Sequence, residues 1–86
     1  MDTVTFETPL TPSENKALKK KLSLVIATNI KRYREMKKMT QQEVAAKADL
    51  HLTYLGHLEA AKYHPSTFTL WKIAKVLGIK IDSLTS

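Results

Sequence analysis

Apolar side chains recur at intervals of three and four from residue 18 onward: Leu18, Leu22, Val25, Ile26, Ile30 and Tyr33 fall on one stripe, with Lys19, Lys20, Lys31 and Arg32 on the opposite face. That is the period of an amphipathic helix. Its start is marked by Thr11-Pro12-Ser13-Glu14, which supplies a capping hydroxyl, a proline at the first helical position and a glutamate that reaches back from the third. The spacing predicts a helix from about Pro12, broken near Ser23 and ending at Lys37 and Lys38, whose charges suit the negative end of the helix dipole. Residues 1–10 carry Thr3, Thr5, Thr8 and Pro9 without any apolar period, and are expected to form a disordered arm.

Met39-Thr40-Gln41-Gln42-Glu43-Val44 is the strongest local signal: Thr40 and Glu43 make a capping box, and Met39 can pack on Val44 as a hydrophobic staple. A short helix follows from Gln41 to Ala48. After a break around Asp49 to His51, a third helix turns Tyr54, Leu55 and Leu58 inward, with Leu50 filling the corner. Residues 61–65 read as a loop. Ser66 caps a fourth helix holding Leu70, Ile73, Ala74 and Leu77, Gly78 provides its left-handed stop, and a last turn spans residues 82–84. The reading is all-α: an arm and helix extension over residues 1–23, then one compact domain over residues 24–86.

Composition narrows the chemistry. Fourteen Lys and Arg against eight Asp and Glu give a formal charge of +6, which favours a polyanionic partner. The absence of cysteine removes disulfides and thiolate metal sites. The longest apolar run, Leu24-Val25-Ile26-Ala27, is far short of the roughly 20 residues that span a bilayer, and the N-terminus lacks the pattern of a secretory signal. A cytoplasmic protein without membrane contact is therefore expected. His51, His57 and His64 do not share a helix face and have no neighbouring ligands, so no metal site is expected. No acid–base pair, phosphate loop or cofactor motif suggests catalysis or a bound cofactor.

Two helices about a three-residue turn, set in a basic all-α domain, are the geometry that holds a second helix out into the major groove of DNA. From Ile26 to Leu84 the chain resembles the helix-turn-helix family of the lambda repressor and Cro type, which includes phage repressors and restriction-modification controller proteins. The resemblance rests on Thr40-Gln41-x-Glu43-Val44-Ala45, on Tyr54-Leu55-x-x-Leu58-Glu59, and on Thr69-Leu70-x-Lys72-Ile73-Ala74-Lys75-x-Leu77-Gly78-Ile79. It implies a five-helix, lambda-repressor-like fold, an ion pair between Arg34 and Glu59, and base readout by His51, Leu52, Thr53 and His57. Phosphate contacts are implied for Gln41, Gln42, Lys62, Tyr63, His64, Ser66 and Thr67. The unpaired N–H groups opening the second helix independently suit a phosphate.

The family pattern is broken at three places: Asp49 and Ala61 stand where glycine is common, and Gly56 lies inside the reading helix. The expected function is a transcriptional regulator that binds double-stranded DNA as a homodimer. The alternative is an antitoxin-like module that sequesters a partner protein. The self-association surface is expected around Ile79, Ile81 and Leu84, or on the N-terminal extension. Leu18 and Leu22 are expected to cover an apolar patch near Phe68 and Trp71, within one subunit or across a dimer. The other reading of that extension is a basic arm whose Lys16, Lys19, Lys20 and Lys21 add only electrostatic attraction.

Overall fold

The computed structural model describes residues 8–86 and forms five helices: α1 (Pro12–Met36), α2 (Gln41–Lys47), α3 (Leu52–Glu59), α4 (Thr67–Leu77) and α5 (Ile81–Thr85), with no strand among the described residues. Residues 8–10 are exposed and non-helical; the rest of the expected arm lies outside the described residues. Three helices start on a side-chain cap. The hydroxyls of Thr11, Thr40 and Ser66 accept hydrogen bonds from the N–H groups of Glu14, Glu43 and Thr69 at 3.1, 3.0 and 3.1 Å. In the first two, the glutamate carboxylate accepts the threonine N–H at 3.0 Å, and these backbone hydrogen bonds hold both carboxyls below the ordinary glutamate range.

The ends of α1, α2, α3 and α4 share one geometry. A single left-handed residue follows each, at Lys38 (φ 55°), Asp49 (φ 54°), Ala61 (φ 59°) and Gly78 (φ 69°). The next amide then donates to a carbonyl five residues back: Met39 to Arg34, Leu50 to Ala45, Lys62 to His57 and Ile79 to Ala74, at 2.9 to 3.1 Å. This satisfies carbonyls that a helix end leaves orphaned. Only one of the four residues is glycine, so Lys38, Asp49 and Ala61 each accept a backbone cost of about 1–2 kcal/mol in return for a tight turn.

The core is built from Ile26 and Ile30 of α1, Val44 and Ala45 of α2, Leu55 and Leu58 of α3, Leu70, Ile73, Ala74 and Leu77 of α4, and Leu84 of α5. Helix α1 packs on α3, α4 and α5, while α2 packs on α3 and α4. The buried Asn29 amide donates to the Leu84 and Ser86 carbonyls at 3.0 and 3.1 Å, fastening α5 to α1.

Three expectations are corrected here. Helix α1 does not break at Ser23, because the hydroxyl donates to the Lys19 carbonyl one turn back at 2.9 Å and is satisfied without opening the backbone ladder. Leu84 is fully buried and has no surface to offer a second subunit. Leu18, Phe68 and Trp71 do not cover one another within the chain; they are 52, 65 and 51% exposed. Only Leu22 reaches the edge of the core. The reason is geometric: α1, with 25 residues, is about 37 Å long, its bearings on the core begin at residue 22, and residues 12–21 overhang it exposed. Lysines take the ring faces instead, Lys72 Nζ at 5.0 Å from the Phe68 centroid and Lys75 Nζ at 5.2 Å from that of Trp71.

One ion pair joins the elements around the turn. Arg34 Nε and Nη2 donate to the two oxygens of Glu59 at 2.7 and 3.0 Å, Arg34 Nη1 donates to the Met39 carbonyl at 2.9 Å, and Gln41 Nε2 donates to Glu59 Oε1 at 3.1 Å. The side chains of Arg34 and Glu59 are 12 and 4% exposed. The Glu59 hydrogen bonds raise the pKa of Arg34 further and fix its charge.

Removing one partner leaves a desolvated charge, so Arg34→Ala is expected to cost roughly 3–5 kcal/mol of unfolding free energy. The double change Arg34→Met, Glu59→Met should cost much less, as denaturant titration of both variants will show. Gly56 sits within α3 at ordinary helical φ, and a Cβ there would meet nothing nearer than Gln41 Oε1 at 4.0 Å. Gly56→Ala is therefore expected to stabilise the fold by about 0.5–1 kcal/mol, read as a melting temperature higher by about 2–8 °C.

Candidate nucleic-acid interface

Helix α3 divides cleanly into two faces. Leu55 and Leu58 are buried, and Tyr54 is half-buried. Leu52 (48% exposed), Thr53 and Ala60 lie exposed on the other side, with the half-buried Gly56 and His57 beside them and the exposed His51 at the N-cap. None of these outward residues is required by the core. His51 makes no capping hydrogen bond with its side chain, so its ring is free for other contacts.

His57 is held in place by a neighbour six residues further along the chain. The Tyr63 ring, from the loop after α3, meets the edge of His57 with centroids 5.2 Å apart and stacks on Tyr54 at 6.2 Å. Sequence reasoning placed Tyr63 among phosphate contacts and missed this supporting role. Nothing in the spacing of Tyr54 and Tyr63 indicates it, because the loop between them must first fold back along α3.

At the start of α2, Thr40 and Glu43 use the capping box, which leaves the N–H groups of Gln41 and Gln42 pointing outward without helical partners. Gln42 is exposed; Gln41 is half-buried, its amide already committed to Glu59 at 3.1 Å. Beyond α3, Lys62 and Thr67 are exposed. Ser66 spends its hydroxyl on Thr69, donating to Oγ1 at 3.0 Å and accepting from N–H at 3.1 Å, so only its backbone can donate to another partner. His64 is exposed on one side and bonded through Nδ1 to Ser23 Oγ at 2.9 Å on the other. Since the Ser23 proton goes to the Lys19 carbonyl, Nδ1–H is the donor in that contact.

The structure thus brings the outward face of α3, the opening of α2 and the loop over residues 61–66 around one buried ion pair. Among the described residues, no three histidines or carboxylates are grouped to hold a metal, and no helix is long and apolar enough to cross a membrane.

The arrangement has known relatives. The immunity repressor protein of Bacillus phage phi105 is 36% identical over 61 residues, which are 71% of this chain and 42% of the repressor, so the chain spans less than half of that protein's length. The control protein C.SmaI of Serratia marcescens is 30% identical over 60 residues, covering 70% of this chain and 71% of that protein. In fold, the crystal structure of the hypothetical transcription factor NHTF from Neisseria superposes with a TM-score of 0.75 at 24% identity, over 98% of this chain and 90% of that one, so the overhanging first helix lies within the shared architecture. The profile of the helix-turn-helix family matches residues 30–84, from the second half of α1 to α5, and establishes that the chain belongs to the helix-turn-helix family.

Proposed function

We propose that this protein is a sequence-specific transcriptional regulator that lays α3 in the major groove of double-stranded DNA and acts as a homodimer. The observation that carries the reading is the outward face of α3, which is free of any core duty and held rigidly by the Arg34–Glu59–Gln41 network. Residues 24–86 form the DNA-binding domain, and residues 1–23 are its extension. His51, Leu52, Thr53 and His57 read base edges. Leu52 offers a surface to thymine methyls, Thr53 a methyl or hydroxyl, and each histidine a ring nitrogen. Gln41 and Gln42 receive a phosphate at the opening of α2. Lys62, Tyr63, His64, Ser66 and Thr67 follow the other strand, Ser66 through its backbone.

Self-association is assigned to the groove lined by Trp71, Ile79 and Ile81, where a half-exposed indole adjoins two half-buried isoleucines. A small domain gains affinity by binding two half-sites whose symmetry mirrors its own. The exposed Phe68 and Trp71 also favour a second reading, in which a partner protein covers this face and is sequestered by it.

Selection of binding sites from random duplex DNA at fixed ionic strength is expected to enrich a palindrome. With that site, Gln42→Ala weakens all sequences alike, whereas Thr53→Ala or His57→Ala flattens the preference at particular base positions by about 1–3 kcal/mol. Unchanged preference in both reader variants would show that another face of α3 enters the groove. Sedimentation is expected to find dimers of the wild type on operator DNA and monomers of Trp71→Lys; a monomer of the wild type that captures a stoichiometric protein partner would support the second reading instead.

A further inference from the structure

Lys16, Lys19, Lys20 and Ser23 occupy positions i, i+3, i+4 and i+7 of α1 and therefore share one face of the overhanging helix. That face and the loop after α3 form the two walls of one open cleft, with three lysines on the first wall and Lys62 on the second. The Ser23–His64 hydrogen bond, 2.9 Å long, ties the walls together at the base. No carboxylate lines the cleft. Arg34–Glu59 is the one ion pair among the described residues, so the four ammonium groups have no internal counter-charge. Glu14, the acid nearest in sequence, gives its carboxylate to the Thr11 cap.

Unneutralised like charges gathered between rigid elements concentrate positive potential and attract a polyanion. The apolar part of the lining comes from lysine stems, Ala61 and the Tyr63 ring, with no Leu, Ile, Val, Met, Phe or Trp, which disfavours a protein partner that needs a buried apolar anchor. Continuity points to the polyanion concerned: Tyr63, on the loop wall, is in edge contact with His57 on the outward face of α3. From position 16 to position 23 the helix rises about 10 Å, the axial length of about three phosphates on one DNA strand.

We propose that this cleft grips the sugar–phosphate backbone of duplex DNA immediately outside the half-site read by α3, so that the overhang of α1 lengthens the footprint. The cleft has no base edge to read; it adds affinity and salt dependence without adding sequence preference. The inference rests on the proposed DNA-binding function, and the test separates the two.

The full chain and its Lys16→Gln/Lys19→Gln/Lys20→Gln variant are titrated across a salt series with two duplexes. One ends at the edges of the selected operator, and the other carries about six more base pairs on each side. All three lysines are exposed, so the melting temperature should be unchanged. On the long duplex, the slope of log K against log salt is expected to fall by two to three in the variant, at about 0.9 per phosphate contact, with the base preference intact. Wild type should lose a similar increment on the short duplex, and the variant should bind both lengths alike. Equal slopes for the two proteins on the long duplex, or a loss of affinity that is the same on both lengths, would overturn the cleft and leave the α3 reading standing. Failure of the wild type to select any operator would overturn the DNA-binding reading itself.

Discussion

Glu59 is the constraint on which the geometry around the turn depends. A carboxylate with its side chain 4% exposed has lost most of its hydration, a cost of several kcal/mol unless both oxygens are engaged. Both are, by the forked guanidinium of Arg34 and by the Gln41 amide. Since Arg34 also holds the Met39 carbonyl, one charge cluster joins the last turn of α1, the α1–α2 connection, the first residue of α2 and the last residue of α3. None of these can rotate alone without stranding a buried charge. The network contributes little net stability, because desolvation offsets much of its attraction; what it supplies is the fixed angle at which α2 and α3 leave the core.

Tight connections complete that rigidity. Short helices can present a face to a partner only if their ends are well defined, and here four successive ends use a left-handed residue followed by a backbone bond five residues back. Asp49 and Ala61 take this conformation where glycine would do so without strain. The turn survives because the carbonyls it satisfies would otherwise be orphaned. Glycine appears instead at position 56, where no close approach within the fold requires it.

The outward face of α3 carries no Arg, Lys, Asn or Gln, the side chains that make the bidentate base contacts with the greatest discrimination. Its chemistry of imidazole, hydroxyl and aliphatic groups is modest, and the cations lie around it, on the loop wall and the overhang of α1. On the proposed reading, binding strength and sequence preference reside in different parts of the molecule. Phosphate contacts set register and affinity, while a few weak base contacts and the shape of the groove choose the site.

Helix content, caps and core were legible in the chain because they are local: Thr11–Glu14 and Thr40–Glu43 state their capping boxes within four residues, and a period of three to four names Ile26, Ile30, Ile73 and Leu77 as core. Composition and motif spacing likewise carried the family resemblance. The same local rules failed at Ser23, where a hydroxyl that usually weakens a helix donates to the Lys19 carbonyl and accepts from the His64 ring. They also failed at Leu18, Phe68 and Trp71 within the chain, where apolar character implied mutual burial and all three side chains stay about half exposed or more. Leu84 shows the opposite error, a terminal leucine expected at the surface but buried where α5 packs on α1 and α4. The support of His57 by Tyr63, the Gln41–Glu59 bond and the pairing of the α1 lysines with Lys62 join residues from 6 to 46 positions apart. Periodicity assigns a residue to a face of its own helix, but which faces meet depends on the packing of all five helices at once.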